Sequence, residues 1–181
     1  MRNKIRIIGG EWRGRLITFS SAADLRPTPG RTRETVFNWL GQDMSGKVCL
    51  DLFAGSGAMG FEAASRGAKR VVMVESNPEV LKALKANLQK LVTSQIQLVA
   101  MDALKFIHSD RQLFDVIFLD PPYRLGLLPM LLPLLSLHLA EGGLVYVEDD
   151  RFSERGTDWL VWRRGYAGKV CYQLLKLGKN G

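Results

Sequence analysis

Asp120-Pro121-Pro122-Tyr123 places a carboxylate, two rigid residues and an aromatic ring in four successive positions. It follows Phe114 to Leu119, an apolar run that reads as a buried parallel strand. The prolines forbid both further ladder pairing and an immediate helix, leaving a stiff turn at the strand's carboxyl end. Open α/β sheets bind ligands at that edge. A carboxylate there accepts hydrogen bonds from a polar group, and a ring beside it stacks on a flat one. On these four residues alone, an ordinary strand-ending turn with a packed tyrosine is an equal reading.

A second set lies upstream. Gly55-Ser56-Gly57-Ala58-Met59-Gly60 follows a strand-like run and opens a helix-like one, with Glu75 twenty residues after Gly55. That is the dinucleotide-binding pattern, weak when it stands alone. Three features favour S-adenosyl-L-methionine as the cofactor instead. Asp51, four residues before Gly55, suits an ammonium-bearing ligand and repels a pyrophosphate. Asp102 follows the third strand and can receive an exocyclic adenine amine. The Asp-Pro-Pro-Tyr turn has no part in hydride transfer. Glu75 accepts ribose hydroxyls under either reading. The expected cofactor lining is Asp51, Phe53, Gly55 and Gly57 from the first strand and turn. Glu75 and Ser76 come from the second strand end, and Asp102 and Ala103 from the third. Capping roles for Asp51 and Asp102 are the plain alternatives.

The elements that must position these residues alternate strand and helix from Lys47 onward. Strands are expected at Val48–Phe53, Arg70–Glu75, Ile96–Met101, Phe114–Leu119 and Leu144–Val147, the last after a Gly142-Gly143 turn. Asn77 and Pro78 start a helix as N-cap and first-turn residue. The repeat implies a doubly wound, mostly parallel sheet. Two closing strands near 159–163 and 169–177 form a hairpin around Gly165 to Gly168.

Ahead of this unit, Ile5 to Thr18 reads as a hairpin and Arg31 to Leu40 as a helix. The hairpin surrounds Trp12 with Arg6, Arg13 and Arg15, a combination suited to phosphate contact and base stacking. Packing of Trp12 in a satellite core is the alternative. Arg31 and Arg33 occupy a first helical turn, where the dipole disfavours cations unless an anion is near. An exposed helix start explains them almost as well.

The net charge of +7 is divided into +5 over residues 1–40, −3 over 41–150 and +5 over 151–181. A near-neutral middle between basic ends fits a core that grips a polyanion at its edges, and favours nucleic acid over small acidic substrates. Two isolated cysteines without metal spacing imply a reduced, cytoplasmic setting. The apolar run Leu125 to Ala140 carries Pro129 and Pro133 and is too short for a membrane span.

Asp51 to Gly57, Glu75, Asp102 and Asp120 to Tyr123, in that order, resemble the class I methyltransferases that modify exocyclic amines. Arg6-Ile7-Ile8-Gly9-Gly10-Glu11-Trp12-Arg13-Gly14-Arg15 resembles the N-terminal hairpin of the RsmD family, bacterial 16S rRNA guanine-N2 methyltransferases. Arg26-Pro27-Thr28-Pro29 running into Arg33-Glu34-Thr35-Val36-Phe37-Asn38 resembles that family's next helix. The likeness covers nearly the whole chain, with Pro29-Gly30 the one departure.

The resemblance implies a seven-stranded Rossmann-like domain over 41–181 and an RNA-contacting extension over 1–40. It implies 16S rRNA or the assembling small ribosomal subunit as partner; a monomer without membrane or metal is expected from the sequence itself, which has no heptad repeat, no spanning run and no metal-ligand cluster. Asp120 and the Pro121 carbonyl would hold the amino hydrogens, Pro122 would stiffen the turn, and Tyr123 would stack on a flipped base. Rival functions are an adenine-N6 DNA methyltransferase, a non-catalytic RNA-binding module and, third, a nicotinamide enzyme.

Overall fold

The computed structural model describes residues 2–21, 24–122, 126–149 and 158–178. After an antiparallel ribbon, β1 (Arg2–Arg6) and β2 (Leu16–Ser20), comes helix α1 (Gly30–Trp39). Then follow β3 (Val48–Asp51), α2 (Ala58–Ser65), β4 (Arg70–Glu75), α3 (Pro78–Leu91) and β5 (Ile96–Ala100). The chain continues through α4 (Ala103–Ser109), β6 (Phe114–Leu119), α5 (Leu128–Leu135), β7 (Leu139–Glu148), β8 (Trp159–Ala167) and β9 (Val170–Leu177).

Seven strands form one sheet in the order β5-β4-β3-β6-β7-β9-β8. The first five run parallel, and β9 pairs antiparallel with both β7 and β8. Strand order reverses between β3 and β6, so a crevice must open past their carboxyl ends. Asp51 ends β3, and Asp120 directly follows β6.

Both faces of the sheet are covered, which accounts for the unbroken apolar strands. In β6, Val116 and Phe118 join one core with Phe37, Phe61, Met73 and Tyr146. Ile117 and Leu119 join the other with Phe106, Leu131, Leu135 and Val145. Full burial of side chains of this size contributes about 1.5–3 kcal/mol each. The α3 start follows expectation: Asn77 Oδ1 accepts from the amides of Glu79 (2.9 Å) and Val80 (3.4 Å), ahead of Pro78.

The two glycine turns differ from the sequence reading. β7 begins at Leu139, and its pairing with β6 jumps from Phe114–Leu139 to Val116–Leu144. Residues 140–143 therefore bulge out within one strand, with Gly142 at φ +72°, and do not precede it. In the closing hairpin, β8 continues to Ala167 and the turn is Gly168-Lys169. Gly165 lies inside the strand opposite Tyr172, where a Cβ would stand 2.4 Å from the Tyr172 ring. Close packing, not turning, demands that glycine.

The N-terminal ribbon is fastened to the sheet layer. Asn87 of α3 donates to the Thr18 carbonyl (2.8 Å) and accepts from its amide (3.1 Å), taking the place of a third strand. Ile7, Trp12, Ile17, Val36 and Phe37 share a core with β4 and β6. No helix among the described residues is long and apolar enough to cross a membrane.

Candidate active site

Four adjacent parallel strands end in carboxylates. Asp51, Glu75, Asp120 and Glu148 belong to the ends of β3, β4, β6 and β7. No group of three or more metal-ligating side chains with metal-site geometry occurs among the described residues.

The glycine turn between β3 and α2 is built around two of them. Gly57, at φ +83°, caps α2, and a Cβ on it would meet the Phe61 ring at 2.4 Å. Only glycine fits both the left-handed backbone and that approach. Asp51 is 4% exposed, and its Oδ2 accepts from the Gly60 amide in the first turn of α2 (3.0 Å). Burial pushes the Asp51 carboxyl up to about 8, against the Gly60 hydrogen bond and with the charges of Asp120 and Glu75 adding to the rise. Glu75 Oε2 accepts from the Gly55 amide (2.9 Å), while Oε1 accepts from Ser76 and Asn77 (both 3.1 Å). The turn is thus pinned to the neighbouring strand end. Phe53 is half-buried, Ser76 exposed and Ala103 buried. Asp102 caps α4 by accepting from the Lys105 amide (3.1 Å), so its plain role is present.

Asp120 sits half-buried past β6, and burial together with the charge of Glu148 pushes its carboxyl up to about 7. Beside it lies a cavity of about 300 Å³ bordered by Pro121, Pro122, Leu127, Leu128, Glu148 and Asp149. Tyr123 lies outside the described residues.

The raised carboxyls set a pH dependence. Asp51 and Asp120 hold their protons to a higher pH in the folded chain than in the unfolded one. Between about pH 4 and pH 8 the folded state therefore binds more protons, and stability falls as pH rises. The melting temperature without ligand is expected to drop from pH 5 to pH 8.5, and Asp51→Asn to flatten that drop. Parallel curves for the two proteins would show that Asp51 titrates normally.

Of the expected RNA contacts, Arg6, Arg13, Arg15 and Arg31 are exposed. The Arg6 and Arg15 guanidinium groups also cap the carbonyls of Gly14 (2.8 Å) and Lys90 (2.9 Å). Trp12 and Arg33 require correction. The Trp12 ring is 5% exposed inside the core and offers no stacking face. Arg33 is 4% exposed, donating to the carbonyls of Thr28 and Arg6 (both 3.1 Å) and to Glu62 (3.3 Å). Its anion is Glu62, not a phosphate. The sequence signal for Glu62 is a lone acid within Gly60-Phe61-Glu62-Ala63-Ala64, a single charge on an otherwise buried helix.

A family model described as conserved hypothetical protein 95 matches residues 5–176. Ribosomal RNA small subunit methyltransferase D of Escherichia coli (strain K12) is 39% identical over 183 residues, covering 98% of this chain and 92% of that protein. The solved structure of yhhF from Escherichia coli aligns with a TM-score of 0.87 at 38% identity, covering 97% and 99% of the two chains. RsmC, described as a T. thermophilus 16S rRNA N2 G1207 methyltransferase in complex with AdoMet and guanosine, aligns with a TM-score of 0.74. That likeness, at 21% identity over 99% of this chain and 50% of RsmC, shows the fold alone. With the family model spanning nearly the whole chain and the strand ends arranged as described, this chain belongs to the RsmD family of ribosomal RNA small subunit methyltransferases.

Proposed function

We propose that this chain transfers a methyl group from S-adenosyl-L-methionine to the N2 amino group of a guanine in 16S rRNA. The observation that carries the reading is the convergence of Asp51, Glu75 and Asp120 on the β3–β6 switch point beside the Pro121-Pro122 turn. Buried acids that crowd one another are relieved by a cationic ligand and aggravated by a pyrophosphate. The donor set therefore fits a cofactor bearing an ammonium and a sulfonium, which supplies an electrophilic methyl group when bound. Asp51 and the glycine turn would hold the amino acid end, Glu75 with Ser76 the ribose, and Asp102 with Ala103 the adenine. Phe53 would line the passage between them.

The remaining chemistry belongs to the chain. A guanine N2 lone pair is delocalised into the ring and is a weak nucleophile. Asp120 and the Pro121 carbonyl accept its two hydrogens and turn the lone pair toward the methyl. Pro121 cannot swing because its φ is fixed, and Pro122 extends that rigidity. The nitrogen sheds one proton as its new bond to carbon forms, and Asp120, poised near 7, can take it. Tyr123 would stack on the flipped base.

Incubation of the protein with labelled cofactor and small ribosomal particles from a deletion strain should yield N2-methylguanosine on nucleoside digestion. N6-methyladenine, or transfer to duplex DNA in preference to rRNA, would overturn the reading.

Residues 1–40 are the RNA-contacting extension in this proposal, with exposed Arg13 and Arg15 reaching phosphates. Replacing both with alanine is expected to reduce the slope of log affinity against log salt by about 1.4–1.8, at 0.7–0.9 per phosphate contact. An unchanged slope would make them solvated charges only.

A further inference from the structure

The reading above leaves one choice without a residue: guanine over adenine. Both bases present an exocyclic amine that Asp120 and the Pro121 carbonyl can hold. They differ at the neighbouring ring nitrogen. Guanine carries an N1–H donor beside its amine, whereas adenine N1 is an acceptor.

Glu148 stands where that difference can be read. Leu119 pairs with Val147 across parallel strands, so Asp120 and Glu148 follow side by side. The Glu148 carboxylate is aimed by two donors on Oε1, the Tyr146 hydroxyl and Thr28 Oγ1 (3.1 Å). Tyr146 is fully buried and Thr28 is 6% exposed, so neither donor is free to follow a swinging carboxylate. Thr28 arrives from a segment 120 residues distant in sequence, held between Pro27 and Pro29. The adjoining cavity of about 300 Å³ has Pro121, Pro122 and Leu128 as apolar walls and Glu148 on its border. A flat base fits a space of that size beside the Asp120 turn.

We infer that Glu148 selects guanine: its carboxylate accepts the N1–H while Asp120 and the Pro121 carbonyl hold the N2 amine. The inference rests on the N2 reading. Adenine in the same pose sets its N1 lone pair against a carboxylate, with neither group satisfied. Thr28 is a positioning residue for Glu148, which gives the Arg26-Pro27-Thr28-Pro29 segment a part in recognition.

The test uses 2-aminopurine, which keeps the exocyclic amine of guanine but has an acceptor at N1. After the methylated nucleotide is mapped by mass spectrometry, 16S rRNA carrying guanine or 2-aminopurine there is made by splinted ligation. Wild-type kcat/KM should favour guanine on the order of 10–100-fold, the effect of one buried unsatisfied pair. In Glu148→Gln, Tyr146 and Thr28 retain the amide oxygen and turn its NH2 outward as a donor. The preference should then shrink to near unity or reverse.

Because each preference is a ratio within one protein, partial unfolding of a variant cancels. Thr28→Val, which withdraws one donor, should narrow the ratio by a smaller factor. A wild-type enzyme indifferent to the two RNAs overturns the inference, as does a Glu148→Gln variant that keeps the wild-type ratio. Loss of both transfers with S-adenosylhomocysteine binding intact also overturns it. Mapping of the methyl to adenine N6 would instead overturn the N2 reading itself.

Discussion

Asp120→Ala is expected to lower kcat for rRNA methylation by roughly 10²–10³-fold, the range for removing one aligned hydrogen-bonding group from a transition state. Cofactor affinity should change little. Asp120 lies past β6, on the far side of the switch point from Glu75 and from the Gly55 turn that Glu75 holds. The small change expected is toward firmer folding without ligand, because one of the charges that raises the Asp51 carboxyl is gone. Calorimetric titration with S-adenosylhomocysteine and single-turnover transfer to ribosomal particles would measure the two quantities separately. Normal turnover in the variant would remove Asp120 from the mechanism. Loss of cofactor binding in step with turnover would make it a ligand for the cofactor. Asp120→Asn should recover part of the rate, since an amide oxygen still accepts from N2 but takes no proton.

The second large effect concerns stability. Glu62 is fully buried, and four donors fill the acceptor capacity of its carboxylate. Oε1 accepts from the Gly9 amide (2.9 Å) and Arg66 Nε (3.0 Å), and Oε2 from the Ile8 amide (3.0 Å) and Arg33 Nη1 (3.3 Å). It thus joins the segment after β1, helix α1 and helix α2 at one point.

Glu62→Ala strands a buried Arg33 and two backbone amides. Breaking a buried pair from one side costs about 3–5 kcal/mol, a fifth or more of a typical folding free energy of about 5–15 kcal/mol. The melting temperature should fall by roughly 10 °C, and the N-terminal ribbon should become the first site of proteolysis. Glu62→Leu combined with Arg33→Met should cost less than the two single changes summed, because no charge is left unpaired. A single-variant loss below about 1 kcal/mol would mean that water replaces the lost partner.

The legible parts of the site were local. Proline after a buried strand fixes the Asp120 turn whatever surrounds it, and Gly57 announces a left-handed cap before a helix. Asn77-Pro78 spelled the start of α3 for the same reason. Gly165 shows the limit of such reading. Its neighbours Gly168 and Ala167 make a turn plausible, yet the residue is required by the Tyr172 ring on the paired strand. Arg33 shows it again. A cation in a first helical turn calls for an anion, but the anion proved to be 29 residues away inside the fold.

The sequence by itself determined the βα alternation, the glycine turn, the acidic strand ends and the place of the Asp-Pro-Pro turn, because each depends on backbone sterics within a few residues. Tertiary structure alone decided which basic and aromatic residues face outward. Trp12 joins a core that includes α1 and β6 residues, and Arg33 pairs with Glu62, each more than twenty residues distant, so no local pattern could separate them from exposed Arg13 and Arg31. It also decided the company Asp120 keeps. The parallel register of β6 and β7 sets Glu148 beside it, and a threonine from before α1 aims that carboxylate. Side-by-side strand ends are a property of pairing, and pairing is not written in either strand.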